Sequence, residues 1–241
     1  MDISVEKLVC EETLQKFEIY ERLLQEWNRR TALVQENTLL VFEQRHLLDS
    51  LQLIPIINSF SPCASLSLID RDGSTSFLPS FEPPLRENWK TLDQESQIKS
   101  QLSIIDVGTG AGFPGMVLAM CGFKRVVLCE SNQKKCFFLK EVARQTNTNV
   151  EVIHGRVENI KKKFDVVVAR AFADLESLLG IMAVLLAHPS SYGLFHKGRS
   201  WQEELMSARK KWDFLSSLTQ SVTSTEGMIL CIHHLRKKEI V

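Results

Sequence analysis

The chain has 241 residues, 44% of them hydrophobic and 24% charged, which excludes disordered and fibrous classes and makes a disulfide or metal staple unnecessary for folding. Twenty-nine basic residues balance 29 acidic ones, so a globally basic nucleic-acid binder is excluded too. The balance is uneven, however: residues 1–100 carry 16 acids and 10 bases, and residues 101–241 carry 13 acids and 19 bases. An anionic partner is expected at the second half.

The opening MDISVEKLVCEET is acidic and has no apolar core, so no signal peptide is expected. No apolar run approaches the ~20 residues of a membrane span. Residues 4–30 predict a helix, with Val9, Phe17, Tyr20, Leu24 and Trp27 at helical spacing. A second helix is expected over 39–58, including RHLLDS at 45–50. There Arg45 and Asp49 stand four apart and are expected to pair along one face, with His46 and Ser50 on the adjoining face. Residues 59–100 read as a long linker or insertion. Within it, Glu82-Pro83-Pro84-Leu85 and Pro62-Cys63 only faintly resemble motifs of amine- and carbon-methylating enzymes and are read as loop residues.

From residue 102 the texture changes. Apolar runs at 102–107, 125–130, 150–154, 164–170, 192–197 and 228–234 alternate with helical stretches near 115–121, 133–146, 174–187 and 200–211. Continuous β-branched runs separated by helices predict a mostly parallel, doubly wound α/β sheet. The expected organisation is a helical extension at 1–58, the linker at 59–100 and an α/β domain at 101–241. The six cysteines show no C-x-x-C pair and the six histidines no metal spacing, so no metal and a reducing compartment are expected.

The sharpest motif is IIDVGTGAGFPG, 104–115, between the first strand and a helix. In an open α/β sheet, the crevice beyond a strand's carboxyl end is the ligand site. A G-x-G-x-x-G also runs through Gly110, Gly112 and Gly115, with Glu130 twenty residues on, so glycine spacing alone leaves NAD and S-adenosylmethionine both open. Asp106, just before the glycines, opposes a pyrophosphate and favours a cationic methyl donor. Glu130 suits the ribose hydroxyls of either cofactor.

RHLLDS, DVGTGAGFPG (106–115), GRVENI (155–160), RAFADL (170–175) and HKG (196–198) follow one another in this order. Together they resemble the bacterial small-subunit rRNA guanine-N7 methyltransferase family, RsmG, once called glucose-inhibited division protein B. The resemblance spans about 27–58 and 102–198. It implies a Rossmann-like methyltransferase sheet and S-adenosylmethionine held by Gly108, Phe113, Glu130, Ser131, Asn132, Val157, Glu158 and Arg170. It also implies a cytoplasmic enzyme acting on small-subunit (16S) rRNA or a ribosomal subunit precursor. The chain departs from the family pattern at Ala111, at Glu130 in place of the usual aspartate, and in the length of 59–100.

Arg45 and His46 are expected to approach the crevice or RNA, and Lys197 to offer a phosphate contact that positions RNA without reading it. Other basic clusters are read as solvated faces. For Arg170 the bland alternative is an ion pair with Asp106 or Glu158. No acid–base residue is assigned, because guanine N7 carries an in-plane lone pair and no proton. The runner-up is a methyltransferase of the same fold with another acceptor; a nicotinamide-dependent oxidoreductase, disfavoured by Asp106, and a catalytically silent RNA-binding module of the same fold are the further classes.

Overall fold

The computed structural model describes residues 4–59, 92–93, 99 and 101–238. Most of the 59–100 stretch, with Glu82–Leu85 and Pro62-Cys63, lies outside these residues. Among the described residues no helix is long and apolar enough to cross a membrane.

Seven strands form one sheet: β1 Ser103–Val107, β2 Arg125–Glu130, β3 Glu151–His154, β4 Val166–Arg170, β5 Tyr192–Lys197, β6 Trp212–Gln220 and β7 Met228–Lys237. Their order is β3-β2-β1-β4-β5-β7-β6. The first five are parallel; β7 pairs antiparallel with β5, and the edge strand β6 pairs antiparallel with β7. The α/β sheet expected from the apolar runs is therefore present, with one strand more. Trp212–Gln220 was not anticipated as a strand, because Ser216 and Ser217 interrupt an otherwise apolar alternation.

The central strands are buried on both faces, and alternate residues serve opposite cores. Ile104, Val126, Leu128, Val166 and Val168 face one side, where they meet α1 Glu11–Asn28, α5 Gly115–Met120 and α6 Gln133–Gln145. Ile105, Val127, Val167 and Ala169 face the other, against α7 Leu175–Leu185 and α8 Trp201–Ala208.

The amino-terminal helices share the first of these cores. Tyr20 and Leu24 of α1 are fully buried with α5 and α6, and Trp27 packs on Phe138 with ring centroids 5.8 Å apart. The expected long helix over 39–58 is broken into α2 Glu36–Leu39, a π-helical segment Glu43–Leu48, α3 Asp49–Leu51 and α4 Leu53–Ser59. The described pieces of the 59–100 stretch are anchored: Leu92 N–H donates to the Leu8 carbonyl at 2.6 Å, and Lys99 Nζ donates to the Cys121 carbonyl at 2.9 Å.

Candidate cofactor and acceptor cleft

Strand order reverses between β1 and β4, which opens a crevice at the carboxyl ends of the parallel strands. A cleft of ≈ 740 Å³ lies there, within the ~300–1,000 Å³ typical of small-molecule sites. Gly108, Gly110, Glu130, Ser131, Val157 and Glu158 line one end of it. Lys197, Gly198, Thr223, Ser224, Gly227 and Met228 line the other, with Arg170 and Phe172 among the remaining walls.

The glycine loop is held from behind. Asp106 is fully buried; its Oδ2 accepts from the Thr109 hydroxyl at 2.5 Å and from Gly115 N–H at 2.8 Å. Burial pushes its carboxyl up to about 7 against those two bonds. This corrects the role expected for it. Asp106 is not among the residues lining the cleft; it occupies the first amide of α5, which a pyrophosphate would otherwise take. The preference against a dinucleotide survives on a different physical ground.

Gly108 has φ +63, and a Cβ there would meet the Phe172 ring at 1.9 Å. Glu130 is 8% exposed at the end of β2. Its Oε2 accepts from Gly110 N–H at 3.0 Å and its Oε1 from Asn132 N–H at 2.8 Å. A carboxylate has about four acceptor positions, so two amides leave capacity for a pair of ribose hydroxyls. Asn132, expected to touch the cofactor, is not among the residues lining the cleft; it caps α6, its Oδ1 accepting from Lys134 and Lys135 N–H. Ser131 is exposed, and its carbonyl lies 3.1 Å from His154 Nε2. Val157 is a buried apolar wall and Glu158 is exposed beside it.

Phe113 touches the cleft but is 2% exposed, sandwiched between Tyr20 at 5.1 Å and His46 at 4.6 Å. The Tyr20 hydroxyl donates to the Ala111 carbonyl, so α1 reaches into the glycine loop. Burial raises the Tyr20 phenol well above its ordinary range, keeping it a donor.

Arg170 closes β4. It donates to Asp49 Oδ2 at 3.0 Å, to the Arg45 carbonyl at 2.7 Å and to His46 Nδ1 at 3.0 Å, and lies 5.0 Å over the Phe113 ring. Its carboxylate partner is therefore Asp49, not Asp106 or Glu158. The expected Arg45–Asp49 pair is absent among the described contacts for the same reason, and because the π-helical segment breaks the i, i+4 register.

Asp49 also accepts from Thr223 Oγ1 at 2.7 Å and from Gln52 Nε2 at 2.9 Å, both at Oδ1, while His196 Nε2 meets its carbonyl at 2.8 Å. Burial opposes ionisation of Asp49, but His196, Arg170 and Thr223 hold its carboxyl below the usual range. Burial and the Arg170 charge lower His46 to about 4, so the ring is neutral and accepts at Nδ1 while Nε2–H faces Thr38 Oγ1 at 3.0 Å.

Of the three residues expected near RNA, Arg45 is exposed at the rim. His46 is 5% exposed with both ring nitrogens bonded inside the protein. Lys197 is 8% exposed, and its Nζ donates to the Ala173 carbonyl at 2.7 Å and Glu204 at 2.8 Å. Sequence reasoning missed Asp49 as the hub, Phe172, and the Ser221–Gly227 turn, which antiparallel pairing of β6 and β7 returns to the cleft. Among the described residues no cluster of His, Cys, Asp and Glu has a metal-binding arrangement.

The sequence profile of the family described as rRNA small subunit methyltransferase G (GidB) matches residues 13–70 and 87–234. A protein named ribosomal RNA small subunit methyltransferase G from Rickettsia bellii (strain OSU 85-389) is 31% identical over 229 residues, covering 95% of this chain and 97% of its own. Its namesake from Rickettsia rickettsii (strain Sheila Smith) is 29% identical, covering 95% and 98%. Among solved structures, ribosomal protein L11 methylase from Lactobacillus delbrueckii subsp. bulgaricus overlaps 57% of this chain and 70% of its own at 18% identity, with a TM-score of 0.46.

Proposed function

This chain belongs to the rRNA small subunit methyltransferase G family, an S-adenosylmethionine-dependent group, and from that premise we propose that it methylates N7 of a guanine in small-subunit (16S) rRNA, in the cytoplasm. The observation that carries the cofactor end is Glu130: a nearly buried carboxylate with spare acceptor capacity, beside a glycine loop whose helix amide is already taken by Asp106. Those residues fit an adenosine with free ribose hydroxyls and a cationic, phosphate-free tail.

In this reading Gly108, Glu130, Ser131, Val157 and Glu158 contact the donor. Phe113 and Arg170 shape its walls through the stacking and ion-pair contacts described above, and Asn132 supports Glu130 from behind through its N–H. When bound, the donor supplies a methyl on a cationic sulfur: N7 forms the new carbon–nitrogen bond, the carbon–sulfur bond breaks with its electron pair left on sulfur, and the base becomes cationic. The chain's own work is alignment and electrostatic accommodation, since N7 has no proton to remove.

Arg45, Lys135 and Arg156 line the cleft, and among the described residues none is in an ion pair, so they supply cations where a phosphate backbone would enter. Other basic runs are committed elsewhere: Lys162 pairs with Glu151, Lys211 with Glu176 and Lys238 with Asp213.

The test is methyl transfer from a labelled donor to purified small subunits, naked 16S rRNA and large subunits side by side. Incorporation confined to the small-subunit acceptors, and falling steeply as salt rises, is expected. Incorporation into large subunits alone contradicts the acceptor assignment.

A further inference from the structure

Phe172 stands out as a large apolar side chain left 40% exposed inside the cleft rather than on an outer surface. It follows Ala171, whose φ of +51 is a left-handed conformation that a residue with a Cβ adopts at a cost. On one side the turn is fixed by Arg170, bonded to Asp49 and to the Arg45 carbonyl. On the other it is fixed by the Ala173 carbonyl, which accepts from the buried Lys197 ammonium at 2.7 Å, and by Leu175 N–H, which donates to Glu204 at 2.8 Å. Asp174 caps α7 through Ser177 N–H at 2.9 Å. The backbone is thus tied down on both flanks, and the one ring it presents is left uncovered. Its inner side leans on Gly108, where no Cβ intervenes. That puts an aromatic platform at the donor end of the glycine loop, between the residues assigned to the donor and the Lys197–Met228 end of the cleft.

We propose that Phe172 is the stacking platform for the acceptor base, an assignment that rests on the rRNA-methylating reading above. A base held by its face keeps every ring edge free, and the N7 lone pair lies in the ring plane, so stacking aligns the nucleophile without covering it. The same π face stabilises the base once it has become cationic. Lys197 and Glu204 act on this platform from behind as positioning residues.

The experiment compares the full-length wild type with F172L and F172W. Leucine keeps apolar bulk and removes the π face; tryptophan restores it. Affinity for S-adenosylhomocysteine, melting temperature, and kcat and KM on small subunits are measured for each, with the salt dependence of kcat/KM. Aromatic–base stacking corresponds to roughly a 5- to 150-fold effect. F172L is expected to lose kcat/KM within that range while binding S-adenosylhomocysteine like the wild type and keeping its salt slope, and F172W is expected to recover most of the loss. Undiminished turnover in F172L overturns the proposal, as does a parallel loss of S-adenosylhomocysteine affinity, which would make the ring a cover for the donor. A wild-type chain that binds the donor yet methylates no small-subunit RNA overturns the underlying reading and this assignment with it.

Discussion

The Arg170 guanidinium at the end of β4 donates to the Asp49 carboxylate 121 residues earlier in the chain, at 3.0 Å, and this pair joins the amino-terminal helices to the carboxyl edge of the sheet. Both side chains are mostly buried, at 18% and 14% exposure. Loss of one partner strands the other charge. R170A is expected to cost about 2–4 kcal/mol of unfolding free energy, somewhat below the ~3–5 of fully buried pairs because solvent reaches this one. In a double-mutant cycle with D49N, measured by urea unfolding, the coupling should exceed ~1 kcal/mol. Additive losses would mean that the two charges do not act together.

Glu130 carries the cofactor end of the account. E130Q keeps the side chain's shape but removes the charge that strengthens each hydrogen bond it accepts. A loss of about 1.5–3 kcal/mol corresponds to roughly 10- to 150-fold weaker binding of S-adenosylhomocysteine, readable by calorimetry. Unchanged affinity would place the ribose elsewhere.

Tyr20 tests whether the amino-terminal helices belong to the site. Y20F removes only the hydroxyl that donates to the Ala111 carbonyl, leaving a buried acceptor without its partner. The expected result is about 1–3 kcal/mol lost in stability, with weaker binding of S-adenosylhomocysteine, because the loop it holds is the one we assign to the cofactor. Full affinity in a destabilised variant would confine Tyr20 to packing.

The cleft also sets a pH response. His46 titrates at about 4 in the folded chain against an ordinary 6.5, so between those values the unfolded chain binds the proton first and stability falls as pH drops. Asp106 acts oppositely: raised from 3.8 to about 7, it makes the folded chain the better proton binder in that window, and its contribution to stability fades as pH rises through it. H46Q should flatten the acid-side decline in stability between pH 6.5 and 4, with His233, also lowered to about 4, retaining its own share. An unchanged slope would show that His46 takes no part in it.

What could be read from the sequence follows from where each signal resides. The glycine loop and the central strands announce themselves locally, through backbone requirements near Gly108 and through β-branched runs such as VVVAR. β6 hides its pattern behind Ser216 and Ser217. The Asp49 partnership depends on residues more than a hundred positions apart, and the π-helical segment that turns Arg45 away has no counterpart in helical spacing. The Thr223 contact likewise exists only because β7 returns beside β5. The charge of Asp106 points to a ligand in the sequence, whereas its burial and its bonds to Thr109 and Gly115 make it a brace of the loop.

The central claim is that this chain places a methyl group on guanine N7 of small-subunit rRNA, and nucleoside mass spectrometry of that RNA after incubation with the enzyme and donor tests it most directly. The account predicts new 7-methylguanosine, approaching one per RNA molecule, that falls by roughly tenfold or more when E130Q replaces the wild type at limiting donor. Methyl found on an exocyclic amine, a ring carbon or a ribose hydroxyl, with no 7-methylguanosine, would contradict it.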